Sequence, residues 1–138
     1  MPVNILTGNS KKITVFQDFK KDLEISPISL DLTFNKNEDA VKESIYNLIL
    51  TNRGERLMQP DIGGNISAML FENMTPATFK LIEEQVRTTI DLYEPRATLI
   101  DVNVTGNLDA NNIRVEIIFF VSNNEQPVTL SVFLERTR

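Results

Sequence analysis

The sequence TPATFKLIEEQVRTTIDLYEPR, spanning Thr75–Arg96, contains a long helix and the point at which that helix must end. Thr75 suits the N-cap of a helix and Pro76 its first helical position. Apolar residues then recur at three- and four-residue steps, at Phe79, Ile82, Val86, Ile90 and Tyr93. Pro95 ends the helix because it has no N–H to donate and crowds the preceding residue out of the α region. The sequence therefore predicts a helix from Pro76 to about Tyr93.

Glu94 carries the wrong charge for the end of this helix, because the carbonyl end favours Lys, Arg or His over a carboxylate. Local violations of this kind tend to mark functional or strained sites. Residues two apart in extended chain point the same way, so Glu94 and Arg96 are expected to present their head groups together. Arg96 would offer a planar fork to a partner's carboxylates or carbonyls. The alternative is a solvated surface ion pair worth about 0–1 kcal/mol.

Length and composition limit the classes of protein and of site. The 138 residues, 41% of them apolar, suffice for one domain with one core. The net charge of −5, with basic residues clustered no further than pairs such as Lys20-Lys21, argues against nucleic acid as a partner. No apolar stretch approaches the roughly 20 residues that a bilayer requires, and the N-terminus does not resemble a signal peptide. We therefore expect neither a membrane partner nor secretion by a signal peptide.

The chain has no histidine and no cysteine. Ser-His-Asp and Cys-His catalytic arrangements, imidazole zinc sites and thiolate metal sites are therefore excluded. Carboxylates, Lys, Tyr and Ser remain as the reactive groups. We expect no catalytic residues, no cofactor and no metal site.

The sequence before the long helix predicts four elements. Ile28, Leu30, Leu32 and Phe34 alternate with polar residues, which indicates a strand with one buried face. Val41, Ile45, Leu48 and Ile49 follow at helical spacing, with Gly54 as the expected C-terminal cap. Residues 55–64 should form a loop because they contain a proline and two adjacent glycines. Asn65 should cap a short helix that runs through Phe71.

The sequence after Arg96 predicts three strands. Ile100, Val102 and Val104 alternate with polar residues, residues 106–112 form a turn, and Ile113–Val121 and Val128–Leu134 supply two further strands. We therefore predict an α+β fold, in which two or three helices pack on a C-terminal three-stranded antiparallel sheet. An N-terminal arm (residues 1–25) and a short strand complete the chain, with residues 26–138 forming the domain.

Two stretches of the predicted sheet, residues 117–121 and 132–134, are apolar on both faces. A sheet covered by helices on one side needs apolar side chains on that face only. We therefore expect another part of this chain, or another protein, to cover the second face or an edge. Ile118, Phe120 and Phe133 could pack beneath the helices or the arm. Alternatively, an exposed edge could accept a strand from another chain.

Four short segments together carry a family resemblance: Asn52-Arg53-Gly54-Glu55-Arg56, Gln59-Pro60-Asp61-Ile62-Gly63, Leu70-Phe71-Glu72 and Glu94-Pro95-Arg96. In this order they resemble the baseplate wedge and tail-sheath initiator family of contractile-tailed phages, from about Asp31 to the C-terminus. That family includes a baseplate component of bacterial type VI secretion systems. The arm and residues 47–52 look most like the T-even-like phage branch.

The resemblance implies a structural protein of the virion, assembled in the host cytoplasm and present in several copies around the tail axis. Glu94, Pro95 and Arg96 would dock onto the helical core bundle of the wedge proteins. The C-terminal sheet would join strands of the tail sheath protein and so template the first sheath ring, and the tail tube is a further candidate partner. The candidate residues for the sheath contact are Val128, Leu130, Val132, Phe133 and Leu134.

Two other functions remain open at this point. One is a carboxylate-based cell-wall glycosidase, which needs an acid of raised pKa and a partner carboxylate. Acids are plentiful, but no Asp has a Glu nine residues before it, which is the spacing in phage lysozymes that resemble the T-even endolysin. The other is a regulatory protein-binding adaptor on the same fold.

Overall fold

The computed structural model describes residues 14–107, 112–122 and 124–135. These residues form three helices and five strands. In chain order they are β1 (Gln17–Phe19), β2 (Phe34–Lys36), α1 (Glu38–Leu50), α2 (Ile66–Met69), α3 (Pro76–Tyr93), β3 (Ala97–Asn107), β4 (Asn112–Val121) and β5 (Val128–Glu135). The α+β class and the three-stranded C-terminal sheet are as predicted.

The long helix α3 begins and ends where its sequence predicts. The hydroxyl of Thr75 accepts a hydrogen bond from the backbone N–H of Thr78 (3.2 Å), and Pro76 occupies the first helical turn. Ile82, Val86 and Ile90 are completely buried. Burial of these side chains stabilises the packing of the helix on the sheet by about 25 cal/mol for each Å² of apolar surface removed from water.

Strands β3, β4 and β5 form an antiparallel meander in that order. Alternate residues of the central strand β4 face the helices and are buried: Ile113, Val115, Ile117, Phe119 and Val121. Helix α3 packs on β3, and α1 contacts both α3 and β5. The core therefore lies between one face of the sheet and the helices, while the other face carries no helix among the described residues.

Strand β3 contains an irregularity that its sequence does not reveal. The pairing register with β4 shifts between Leu99 and Asp101, which leaves Ile100 as an extra residue. Ile100 is exposed, although its alternation with Val102 predicted the same buried face. A bulge adds one residue to a strand, and so it reverses the face on which the preceding side chains lie.

The predicted strand from Ile28 to Phe34 is wrong over most of its length. The chain reverses direction within residues 26–31, where the N–H of Ser26 donates to the carbonyl of Asp31 (2.8 Å). Ile28 is 94% exposed, and Leu30 adopts a left-handed φ of 54°. Strand β2 begins only at Phe34 and pairs with β1, so residues 17–36 form a β-hairpin. The first 13 residues of the predicted arm lie outside the described residues.

The predicted C-terminal cap of α1 is wrong, and the predicted N-cap of α2 is confirmed in position but not in its hydrogen bond. Helix α1 ends at Leu50, and the backbone N–H and hydroxyl of Thr51 both donate to the carbonyl of Asn47 (3.0 and 2.6 Å). Gly54 instead lies in the following loop with a φ of 84°. Asn65 occupies the N-cap position of α2 in a left-handed conformation, and its side chain makes no capping hydrogen bond. Helix α2 ends at Met69, two residues before the predicted end at Phe71.

Candidate functional site

Glu94 and Arg96 form a buried ion pair where α3 meets β3. Arg96 Nε lies 2.6 Å from Glu94 Oε1, and Arg96 Nη2 lies 2.8 Å from Glu94 Oε2. The Glu94 side chain is 2% exposed and that of Arg96 is 30% exposed. The alternative of a solvated surface pair is therefore wrong, and so is the expectation that both head groups face outward together. Only Arg96 reaches the surface.

The charge of Glu94 is stabilised by its neighbours. Burial, the largest influence, acts to raise the pKa of Glu94, but hydrogen bonds from Arg96 and Ser44 and the positive charge of Arg96 outweigh it. The pKa of Glu94 therefore lies below its ordinary value. The hydrogen bond to Glu94 in turn raises the pKa of Arg96. A negative charge at the C-terminus of α3 is tolerated because the cation two residues later compensates it.

Arg96 is held on three sides. Its guanidinium carbon lies 5.6 Å from the centre of the Phe16 ring, within the range of a cation–π interaction. The side chain of Asn37 accepts hydrogen bonds from the N–H groups of Val15 and Phe16 and so fixes that segment. The carbonyl of Arg96 accepts from the N–H and hydroxyl of Ser122, at 2.9 and 3.1 Å. Pro95 beside it is exposed.

The loop of residues 53–62 is joined to the C-terminal end of α3 by a hydrogen bond. The Tyr93 hydroxyl donates to the carbonyl of Asp61 (2.8 Å) and so joins the end of α3 to this loop. The N–H of Gly54 donates to the carbonyl of Pro60 (2.7 Å) and closes the loop. Gly63 lies beside Thr51, the residue that follows α1, and has a φ of 128°. A Cβ at Gly63 would lie 2.4 Å from the carbonyl oxygen of Thr51. The hydrogen bond from Gly54 to Pro60 thus brings two of the segments that carry the family resemblance, residues 52–56 and 59–63, into direct contact.

Two apolar side chains at the outer end of this loop were not identified from the sequence. Leu57 is 97% exposed and Met58 is 95% exposed. They occupy a segment whose proline and glycines predicted only a loop. The sequence signal that could have identified them is a pair of adjacent apolar residues inside an otherwise polar turn region.

The candidate residues of β5 divide into two sets. Val128, Val132 and Leu134 are buried against the core, and Leu130 is partly buried. Phe133 points to the opposite face and is 64% exposed, with the guanidinium of Arg114 4.5 Å from its ring centre. Packing of Phe133 beneath the helices is therefore wrong, and the first 13 residues of the arm lie outside the described residues. Within the described residues, β5 pairs with β4 alone.

Glu94 is the one carboxylate residue that is buried as a whole among the described residues. No cluster of three or more acids that could hold a metal ion occurs among them. Glu94 is the buried acid, and its pKa is lowered, whereas a glycosidase needs a proton donor with a raised pKa. No helix in the described part of the chain has the length and apolar character to cross a membrane.

Comparison with known proteins gives a consistent set of matches. Residues 35–126 match the model of the family described as baseplate wedge protein gp25. The baseplate wedge protein gp25 of Enterobacteria phage T4 is 36% identical over 89 residues, which are 64% of this chain and 67% of that protein.

Solved structures include further chains that are similar to this one in sequence or fold. A chain of the anti-feeding prophage baseplate is 28% identical with a TM-score of 0.68, covering 80% of this chain and 88% of that one. A Geobacter sulfurreducens protein that has been proposed to be a tail lysozyme is 29% identical with a TM-score of 0.66, covering 73% and 92%. A chain of the type VI secretion baseplate complex shares the fold, with 18% identity and a TM-score of 0.52. The similarity covers 70% of this chain and 92% of that one.

Proposed function

Because this chain belongs to the family of the baseplate wedge protein gp25, we propose that it docks onto other wedge proteins through Arg96 and pairs its last strand with a sheath protein. The chain is a baseplate wedge protein of a contractile tail and a structural part of the virion. The match over residues 35–126 includes the Glu94–Arg96 corner and strands β3 and β4, and it supports the docking part of the proposal; β5 follows the matched region.

Arg96 is the docking group of this proposal, and Glu94 positions it. A guanidinium has five N–H donors in a planar fork. Glu94 engages Nε and Nη2, and the side chain of Arg96 is 30% exposed, so the proposal assigns Nη1 to carbonyl or carboxylate oxygens of a partner, although the charge of Asp18 also acts on Arg96. The exposed ring of Pro95 and the contact with Phe16 restrict the orientation of Arg96. A side chain ordered before binding loses less entropy when the partner arrives.

A test of docking requires variants that still fold. Alanine at Glu94 or Arg96 breaks a buried pair, so loss of binding by such variants would be ambiguous. Arg96→Lys keeps the positive charge beside Glu94 but loses the planar fork, and Arg87→Lys makes the same change at a half-buried arginine outside the corner. We expect Arg96→Lys to bind purified wedge proteins at least about tenfold more weakly, with Arg87→Lys unchanged. Undiminished binding by a folded Arg96→Lys protein would refute the docking role.

Strand β5 is the edge that we propose for sheath pairing. It has eight residues and contains neither Pro nor Lys. Natural edge strands are usually protected against pairing by such residues or by bulges. At the other edge of the sheet, β3 carries a bulge at Ile100. Val128, Leu130, Val132 and Leu134 would fix the strand on the core, while its backbone and the outward Phe133 would meet the incoming strand.

A truncation of residues 128–138 is a poor test of this pairing because it removes buried core residues. Thr129→Lys and Ser131→Lys instead add charge at exposed positions of β5, and Thr105→Lys adds the same charge at an exposed position of β3. We expect the β5 variants to fold and to bind wedge proteins but to fail to start a sheath, whereas Thr105→Lys assembles normally. Sheaths of normal length with both β5 variants would contradict the proposal.

A cell-wall glycosidase is the competing function, favoured by the similarity to the Geobacter protein proposed to be a tail lysozyme. The lowered pKa of Glu94 opposes it, because a general acid must hold its proton near neutral pH. Pure protein should release no soluble fragments from peptidoglycan. Release that Glu→Gln variants abolish would establish the enzyme instead. A regulatory adaptor, the third function, would be found free in the cytoplasm and absent from assembled tails.

A further inference from the structure

Glu43 lies on α1 in a shallow groove beside the free edge of the C-terminal sheet. Tyr46 of α1, Lys21 of the β-hairpin and Leu130 of β5 line the same groove. Leu130 alternates along β5 with exposed residues and packs against the core, so it lies on the face that carries the helices. Since β5 pairs with β4 alone among the described residues, a strand added to its free edge would direct the side chains of this face into the groove.

One carboxylate oxygen of Glu43 is an acceptor without a donor. Oε1 is buried, and within the part of the chain that the structure describes it accepts no hydrogen bond. The two lysines of the groove have other neighbours. Lys42 Nζ lies 3.9 Å from Asp39 Oδ1, and Lys21 Nζ lies 5.1 Å from the centre of the Tyr46 ring. Buried polar atoms are nearly always hydrogen-bonded in native proteins, so this oxygen is suited to a donor from another molecule.

Pairing at the edge of β5 would remove this carboxylate further from water. A buried charge without a counter-charge is strongly destabilising, whereas a cation in hydrogen-bond contact compensates it. The attraction between the two charges is also stronger where water is excluded. An incoming strand with an apolar or acidic side chain at this place is therefore disfavoured, and a strand with a cation there is favoured.

We propose that Glu43 accepts hydrogen bonds from a cationic side chain of the sheath strand that pairs with β5. The backbone of an edge strand can pair at several registers, and side-chain contacts choose among them. A cation seated on Glu43 fixes which residue of the incoming strand lies beside Leu130. This inference rests on the proposed pairing of β5 with a sheath protein, to which it adds the charge and the register of the partner strand.

The test measures calorimetric binding of purified sheath subunits of the same tail to the full-length chain. Glu43→Gln keeps the size of the side chain but removes its charge, and Glu84→Gln makes the same change at an exposed position of α3. We expect Glu43→Gln to bind at least about tenfold more weakly, with Glu84→Gln unchanged. The free Glu43→Gln chain should melt no lower than the wild type, because Oε1 accepts no hydrogen bond among the described residues.

Charge reversal identifies the partner residue. Glu43→Lys places two cations together in the paired state, so particles that carry it should lack sheaths. Suppressor mutations selected for restored sheaths should replace a Lys or Arg of the sheath protein by an acidic residue. Suppressors that alter no basic residue of the sheath protein would overturn the inference.

Two other outcomes would also refute the role of Glu43. Binding of Glu43→Gln within about threefold of the wild type, with wild-type binding intact, removes the cation contact and leaves the strand pairing standing. A lower melting temperature of the free Glu43→Gln chain would show that Glu43 already has a partner within the chain. If the wild-type chain does not bind sheath subunits at all, the proposed pairing fails and the inference fails with it.

Discussion

Replacing Arg96 by Met tests whether the Glu94–Arg96 pair holds the fold together. An exposed ion pair contributes about 0–1 kcal/mol, whereas removal of one partner from a buried pair costs about 3–5 kcal/mol. The larger figure applies because Glu94 is 2% exposed and both of its oxygens bond Arg96. Arg96→Met leaves that carboxylate buried with much weaker compensation. We therefore expect the free energy of unfolding to fall by about 3–5 kcal/mol.

Urea unfolding followed by circular dichroism measures this change directly. With a slope of about 2 kcal/mol per M, the midpoint should fall by about 1.5–2.5 M. The double variant Glu94→Leu/Arg96→Met should regain much of the loss, because apolar replacement of a whole buried pair is often neutral. Arg87→Met, which removes an exposed pair with Asp101, should cost less than about 1 kcal/mol. A loss of under about 1 kcal/mol for Arg96→Met would refute the structural role of the pair.

Two further predictions concern acid stability and the 53–62 loop. Since the folded-state pKa of Glu94 is lowered, its stabilising contribution is complete above the unfolded-state pKa of about 4.3 and is lost as pH falls through the folded-state pKa. Urea titrations from about pH 6 to about pH 2 should show a smaller decline in the free energy of unfolding for Glu94→Gln than for the wild type. An identical decline in the two proteins would contradict this. Gly63→Ala should lower the melting temperature more than Gly54→Ala: both residues have positive φ, but the added Cβ would lie 2.4 Å from the carbonyl oxygen of Thr51 at Gly63 and would meet nothing within 4 Å at Gly54. Equal melting temperatures would show that the clash is relieved without cost.

Elements determined by local sequence could be predicted, and α3 illustrates why. Its cap, its first-turn proline and its terminating proline all act on neighbouring residues, so no knowledge of the tertiary structure is needed. The strands of the meander were predicted for the same reason. The strand expected at Ile28–Phe34 failed because alternation of apolar and polar residues also occurs in a hairpin tip. The prediction that Ile100 is buried failed because a bulge leaves the alternation of apolar and polar residues in the sequence unchanged.

The site was predicted in part. The sequence identified Glu94 as anomalous and Arg96 as its neighbour, but not the burial of the pair. That burial depends on Ser44 from α1 and on Phe16 from the N-terminal segment, which are far away in the sequence. The contact between Tyr93 and Asp61 is equally nonlocal. Spacing within a motif cannot reveal which distant residues complete it.

The role in starting the sheath is tested most directly by electron microscopy of particles from a strain that lacks this chain. We expect assembled baseplates and tail tubes without a sheath, and we expect sheaths to return when the wild-type chain is supplied. The Ser131→Lys variant should fail to restore them although it joins the baseplate. Intact sheaths of normal length in the complete absence of the chain would contradict the proposed function.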